Sequence, residues 1–160
     1  MSVKVLVAFD TKGGTTAEVA ETVAGTLREA GLETELLAAD DVSEVAGYGA
    51  VVVGAPLYMA RWLPGGHRVL SLVEAVPEPS RPALAVFALG PRKDEGPESW
   101  VRPRGQFERA LAEHPDLSPV ATALFGGAEP AGKTTRRDIR DWDAIRAWAL
   151  KVAGALGAGA

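Results

Sequence analysis

Residues 3–23 read VKVLVAFDTKGGTTAEVAETV, and the break in the middle of that stretch decides how the rest is read. Val3 to Phe9 is nearly all apolar, as in a strand buried on both faces. From Thr16 onward Ala20, Val23, Ala24 and Leu27 recur at helical spacing, and Gly31 supplies a terminator. Between them lies DTKGGTT, Asp10 to Thr16. Gly13 and Gly14 allow backbone amides to approach a ligand closely, the helix start adds unpaired N–H groups, and Thr11, Thr15 and Thr16 add hydroxyl donors. Those are the parts of a phosphate cradle. The competing reading is a tight turn whose threonines serve only to cap the helix.

The same strand-then-helix alternation continues outward. Apolar runs occur at Glu33 to Leu37, Ala50 to Gly54, Ala83 to Ala88 and Pro119 to Phe125, and all but the first are close to continuous. Helical segments fall at Thr16–Ala30, Gly66–Val76, Glu98–Glu113 and Asp141–Leu156, with a short one at Asp40–Ala46. Five strands joined by helical crossovers of one hand give an α/β fold, a doubly wound parallel sheet with helices on both faces. In such sheets ligands bind beyond the carboxyl ends of the strands. The loop Gly90 to Gly105, with three prolines and three glycines, lies at such an end.

Composition narrows the chemistry. The 160 residues suit one domain, 1–160, with 155–160 expected to fray. Cysteine is absent, which removes disulfides, thiolate metal sites and a cysteine nucleophile. A net charge of -4 gives no general attraction to nucleic acid. No apolar run is long enough for an integral membrane segment, and the expected location is the cytoplasm.

The loop Thr11, Lys12, Gly13, Gly14, Thr15, Thr16 resembles the phosphate-binding loop of flavodoxins, in which Thr or Ser, any residue, Thr, Gly, any residue and Thr follow one another. Here Gly13 stands in place of the middle Thr. The resemblance spans Val3 to about Leu156 and implies a flavodoxin-like sheet of order 2-1-3-4-5 with FMN as cofactor, bound where strands 1 and 3 diverge. It places the phosphate at Thr11 to Thr16 and the ring across the ends of strands 3 and 4. Pro56, Leu57, Tyr58 and Met59 then form one side, and the backbone of Leu89, Gly90, Pro91 and Arg92 with the Trp100 side chain forms the other. Trp62 reads more readily as a core anchor than as a ring contact. A positive charge from Arg92 or Lys93 near the pyrimidine end of the ring favours an anionic reduced flavin, while Arg102 and Arg104 extend a positive rim. Water-exposed loop residues offset by Asp94, Glu95 and Glu98 are the other reading of these four.

GAPLYMARW, FALGP, LFGG and RDWDAIRAWA are similar to segments of bacterial flavodoxin-domain proteins related to the menaquinone-dependent protoporphyrinogen oxidases. Those oxidases carry a long insertion before the last helix, where this chain has only the short polar stretch Ala128 to Arg140. The resemblance implies an FMN-dependent oxidoreductase that acts on a quinone or other small molecule, or works with a redox partner protein. The alternatives are a one-electron carrier and a flavin-free binding or regulatory domain. No side chain stands out as a catalytic acid or base.

Gly127 to Thr134 reads GAEPAGKT and matches a nucleotide-binding loop. Too little chain follows to supply the further strands and magnesium-binding acid such proteins need, so a polar connection is expected, with Lys133, Arg136, Arg137 and Arg140 facing water. His67 and His114 are far apart in the sequence and give little support to a metal pair or a base beside a nucleophile. Asp141 is expected to cap the last helix, with Trp142 and Trp148 turned toward the sheet.

Overall fold

The computed structural model describes residues 3–130 and 136–157. Its spine is β1 (Lys4–Phe9), β2 (Glu33–Ala38), β3 (Ala50–Tyr58), β5 (Ala83–Leu89) and β6 (Ala121–Phe125), in the order β2-β1-β3-β5-β6 with every neighbouring pair parallel. Counting only these five, the order is the anticipated 2-1-3-4-5. A two-residue strand, β4 (Arg61–Trp62), pairs antiparallel with the tip of β3 outside that series.

Alternation along the strands builds a core on each face. Val5, Val7, Val52, Ala85 and Phe87 pack with α1 (Thr15–Glu29) and α4 (Trp142–Ala155). Leu6, Ala8, Val51, Val53, Val86 and Ala88 pack with α2 (Pro64–Glu74) and α3 (Glu98–Ala112). Both faces are covered, so the central strands show no polar alternation. Gly54 makes room for Phe87: a Cβ there would lie 2.0 Å from the Phe87 ring. Trp148, on α4, packs edge-on to Phe87 and Phe125.

Several boundaries differ from the sequence reading. Asp40–Ala46 forms only a single 3-10 turn at Ala39–Asp41, since Gly47 follows with φ 95° and leaves no length for a helix. The loop expected over Gly90 to Gly105 ends at Pro97, because Pro103 is accommodated inside α3. Helix α4 runs through Ala155 and closes at Leu156 and Gly157, while Ala158–Ala160 lie outside the described residues. Asp141 does cap α4, accepting from the Ala144 N–H at 3.0 Å.

The hairpin β3–β4 had no sequence signature. Leu57 faces Trp62 and Tyr58 faces Arg61, so the two-residue turn is Met59-Ala60, with φ of 50° and 67°. A turn with positive φ at both central residues ordinarily uses Asn-Gly. A Cβ in that conformation costs roughly 1–2 kcal/mol per residue, so the turn is held by what flanks it. Trp62 supplies the hold: it is 2% exposed, packs against Phe107, and donates its indole N–H to the Ala55 carbonyl at 3.0 Å.

Candidate functional site

The chain reverses its winding between β1 and β3, so their carboxyl ends flank a crevice. Asp10, just past β1, ties the two sides together. Its carboxylate accepts from its neighbour's Thr11 N–H and, across the crevice, from the Gly65 N–H in the first turn of α2, both at 2.8 Å. A negative charge at a helix N-terminus is favourable, and a Cβ on Gly65 would strike it at 2.6 Å. Asp10 was missed because an acid after a strand has no distinctive local pattern.

The loop Thr11–Thr16 commits its Thr11 N–H to Asp10 but leaves two hydroxyls without a partner among the described residues. Gly13 and Gly14 adopt φ of 75° and 87°, and Gly14 precedes α1 without any side-chain cap. The turn forms, but no threonine side chain caps the helix. The Thr11 and Thr16 hydroxyls are buried and, among the described residues, have no hydrogen-bond partner. Leaving a buried hydroxyl unsatisfied costs about 1–3 kcal/mol, and two within one loop at a helix start mark a place for an acceptor-rich group. A phosphate presents that chemistry.

The crevice beyond the loop is lined by Thr15, Pro56, Leu57, Leu89, Gly90 and Arg92, together with Gly127 and Ala128. It encloses only about 10 Å³, room for about one water. Of the residues expected around a ring, Tyr58, Met59, Pro91 and Trp100 do not line it. Tyr58 instead lies under the Lys12 ammonium, 4.8 Å from its ring centroid, which clamps the loop to the hairpin. Met59 is 81% exposed at the hairpin tip. Trp100 is half-buried in the first turn of α3. The backbone donors are fewer than expected: the Gly90 N–H is committed to the Phe125 carbonyl at 2.7 Å, and Pro91 has none.

The lid on this crevice comes from the stretch read as a nucleotide-binding loop. Gly127–Pro130 and Arg136–Arg140 run antiparallel, with Glu129 N–H to Arg137 O at 2.8 Å and Ile139 N–H to Gly127 O at 3.0 Å. No helix follows until Trp142, so the geometry of a nucleotide loop is absent among the described residues; Ala131–Thr135, including Lys133, lie outside them. Pro130 packs on Gly13, where a Cβ would come within 2.7 Å of its ring. The middle threonine of the resembling pattern would collide at this position.

Arg140 corrects the expectation that this basic cluster faces water. Its side chain is 3% exposed and bonds Asp138 at 2.7 Å, Glu18 at 3.0 Å and the Thr15 carbonyl at 3.1 Å. The guanidinium holds the Asp138 carboxyl below its ordinary pKa, chiefly by hydrogen bonding, and Asp138 in turn raises that of Arg140. Arg136 is also partly buried, near Glu18 and Asp138. The strap is thus pinned to the first turn of α1, beside the loop it covers.

A second set of groups had been dismissed. His67, on α2, and His114, just after α3, stack with centroids 5.1 Å apart, and His67 Nδ1 lies 2.9 Å from His114 Nε2. His114 Nδ1 lies 2.5 Å from a Glu74 carboxylate oxygen. Burial lowers the His67 pKa, partly offset by Glu113, and the neighbouring His114 lowers it further. Sequence separation hid the pair because only the packing of α2 against the end of α3 brings them together. No group of acids and histidines among the described residues is arranged to hold a metal.

A phosphate suits the donor chemistry of the loop, whereas the enclosed space of about 10 Å³ is far below the roughly 300–1,000 Å³ of a ligand pocket, so a flavin ring would not lie within it as it stands. No helix among the described residues is long and apolar enough to cross a membrane.

Comparison with known proteins bears on the family and the fold. A flavodoxin-domain family model matches residues 6–132. A flavodoxin from the domain Archaea superposes with a TM-score of 0.62 at 17% identity, covering 96% of this chain and 99% of that one. A short-chain flavodoxin associated with a non-canonical PDU bacterial microcompartment gives 0.66 at 14% identity, covering 97% of each chain. The Streptococcus pneumoniae TIGR4 flavodoxin gives 0.64 at 16% identity, covering 98% and 99%. These identities establish a shared fold. No curated protein sequence matches the chain.

Proposed function

The chain belongs to the flavodoxin-domain family, and from that premise we propose that it is a single-domain FMN-dependent oxidoreductase of the cytoplasm that passes electron pairs to or from a small organic molecule such as a quinone. FMN is the family's cofactor, bound at the β1/β3 switch point, and the protein is a flavodoxin-like redox protein. Thr11 to Thr16 would hold the phosphate, Pro56 and Leu57 one side of the ring, and Leu89 to Arg92 the other. When bound, the flavin supplies the redox chemistry.

The observation that carries the reading is the pair of buried, unpartnered hydroxyls of Thr11 and Thr16 beside an uncapped helix start. Arg92 supports the two-electron choice: it lines the crevice and forms no ion pair among the described residues, so its charge is available to stabilise an anionic reduced ring. In a carrier of single electrons the same charge would weaken the reducing power of the fully reduced ring.

The test is an FMN titration of the purified chain followed by stepwise chemical reduction. Binding, reduction without a one-electron stage, and reoxidation by a soluble quinone are the expected results. A pronounced one-electron stage with no quinone turnover makes the protein a carrier. Failure to bind FMN removes the redox reading altogether.

A further inference from the structure

On the other side of the β3–β4 hairpin from the crevice, between Trp62, the start of α2 and one face of α3, lies a cavity of about 740 Å³. Its volume falls within the range of small-molecule sites, and it is some seventy times that of the crevice. Trp62, Pro64 and Ala110 give it apolar walls. Arg61 enters from β4 and Arg109 from α3, and neither forms an ion pair among the described residues. Arg102 lies in an adjoining hollow that shares Ala60, Gln106 and Arg109 with it. In a chain of net charge -4, this is a local reversal of sign. Glu113 is the one acid that lines the cavity, and it is 68% exposed at the rim.

The third polar element is His67, at the end of the half-buried chain from Glu74 through the buried His114. With Glu74 ionised, its oxygen accepts from the His114 Nδ1–H. In the uncharged imidazole pair, His114 Nε2 then carries a lone pair and accepts the His67 Nδ1–H. That leaves His67 Nε2 without a proton, facing the cavity rather than a protein donor. Its nearest acid, Glu113, is 3.7 Å away, beyond hydrogen-bond length, and is itself an acceptor. In that tautomer the cavity offers one acceptor nitrogen and, among the described residues, two guanidinium groups without an ion pair.

We propose that this cavity binds a small organic acid that also bears a hydroxyl or N–H group. Arg61 and Arg109 take the carboxylate, His67 Nε2 accepts the hydrogen bond, and the carbon skeleton lies against Pro64 beside the edge of Trp62. Guanidinium groups suit a planar carboxylate, and an apolar wall beside them favours a flat, largely carbon body. The site does not depend on the flavin, because none of its polar groups lines the crevice.

The probe is 4-hydroxybenzoate, titrated into ¹⁵N-labelled full-length protein with FMN supplied, while the His67 ring nitrogens and the Trp62 indole are followed by NMR. The expected result is saturable shifts at both residues, with His67 Nε2 showing the signature of a bare nitrogen before the ligand is added. Benzoate, which lacks the donor, should bind about tenfold more weakly, and 4-hydroxybenzyl alcohol, which lacks the carboxylate, weaker by about tenfold or more. Arg109→Gln, a change on the face of α3, should weaken the acid and leave the alcohol unaffected. His67→Phe should erase the preference for 4-hydroxybenzoate over benzoate. Absence of saturable shifts up to about 10 mM, equal binding of all three compounds, or a response only to an acidic peptide would each overturn the proposal. The comparison of the three compounds uses the wild-type chain, so it stands even if a variant fails to fold.

Discussion

Two hollows lie on opposite sides of one hairpin, and they differ in almost every respect. The crevice at the switch point is made of strand ends and backbone, is closed to about 10 Å³, and holds unsatisfied hydroxyls. The lateral cavity is made of side chains from β4, α2 and α3, stands open at about 740 Å³, and holds arginines without an ion pair among the described residues beside a hydrogen-bonded histidine pair. A site built from strand ends depends on how its covering strap is pinned, whereas one built between helices is kept open by large side chains that pack at its edges. Trp62 serves both, as the hairpin's anchor and the cavity's wall.

Removing that shared wall should have the largest effect. Trp62→Ala deletes a buried indole and the bond to Ala55, and should cost about 3–5 kcal/mol in denaturant-monitored stability. It also releases the turn at Met59-Ala60, so accelerated proteolysis at the hairpin is expected. Stability unchanged within error would mean that the two hollows do not share a structural wall.

A smaller and more selective effect belongs to the crevice. Thr16→Val is nearly isosteric and removes a hydroxyl that has no partner in the absence of a ligand, so the flavin-free protein should lose no stability. FMN affinity, read by fluorescence titration, should fall by about 1.5–3 kcal/mol, or roughly tenfold to a hundredfold, if that hydroxyl meets the phosphate. The lateral cavity's response to 4-hydroxybenzoate should not change.

Freeing the strap tests whether closure is a barrier to the ring. Arg140→Met keeps the aliphatic packing and removes the bonds to Asp138, Glu18 and Thr15, at an expected cost of about 1–3 kcal/mol. FMN association, followed by stopped-flow quenching, should become faster. An unchanged rate would show that the crevice opens at the hairpin instead. Relieving the turn is the complementary change: Met59→Asn with Ala60→Gly should stabilise the fold by about 1 kcal/mol and slow ring entry.

The smallest effect is a pH dependence on the cavity side. Because His67 has a folded pKa below its unfolded value of 6.5, the unfolded chain binds more protons in that region, and stability declines as pH falls through 6.5 toward the lower folded value. The groups that face it are Glu113 and Arg109 from α3, His114 beyond that helix, and Arg61 from β4. His67→Phe should flatten the slope in this window. The loss linked to Asp138 lies lower, as pH falls through 3.8 and below, and should persist in that variant.

What could be read in advance follows from the range of the interactions. The buried strands announced themselves by continuous apolar runs, α1 and α4 by spacing, and the turn between β1 and α1 by adjacent glycines among threonines. Each is a short-range demand of backbone and burial. Strand β4 escaped because its turn uses Met and Ala where Asn and Gly would signal it, and the cost is met by Trp62 packing from outside the turn. Arg140 looked like a solvated cation because its partners Glu18 and Thr15 lie more than a hundred residues away in the chain. The histidine pair is separated for the same reason, and its meeting depends on how α2 and the end of α3 settle on one face of the sheet.

The sequence by itself therefore determined a doubly wound sheet with both faces covered and a donor-rich loop after its first strand, since periodicity and glycine placement act within a few residues. Tertiary structure alone decided how far the crevice is closed, which cation is buried, and that two distant histidines and an acid form one chain. Those outcomes depend on side chains brought within about 3 Å of one another by packing, and no local pattern encodes a distance across the fold.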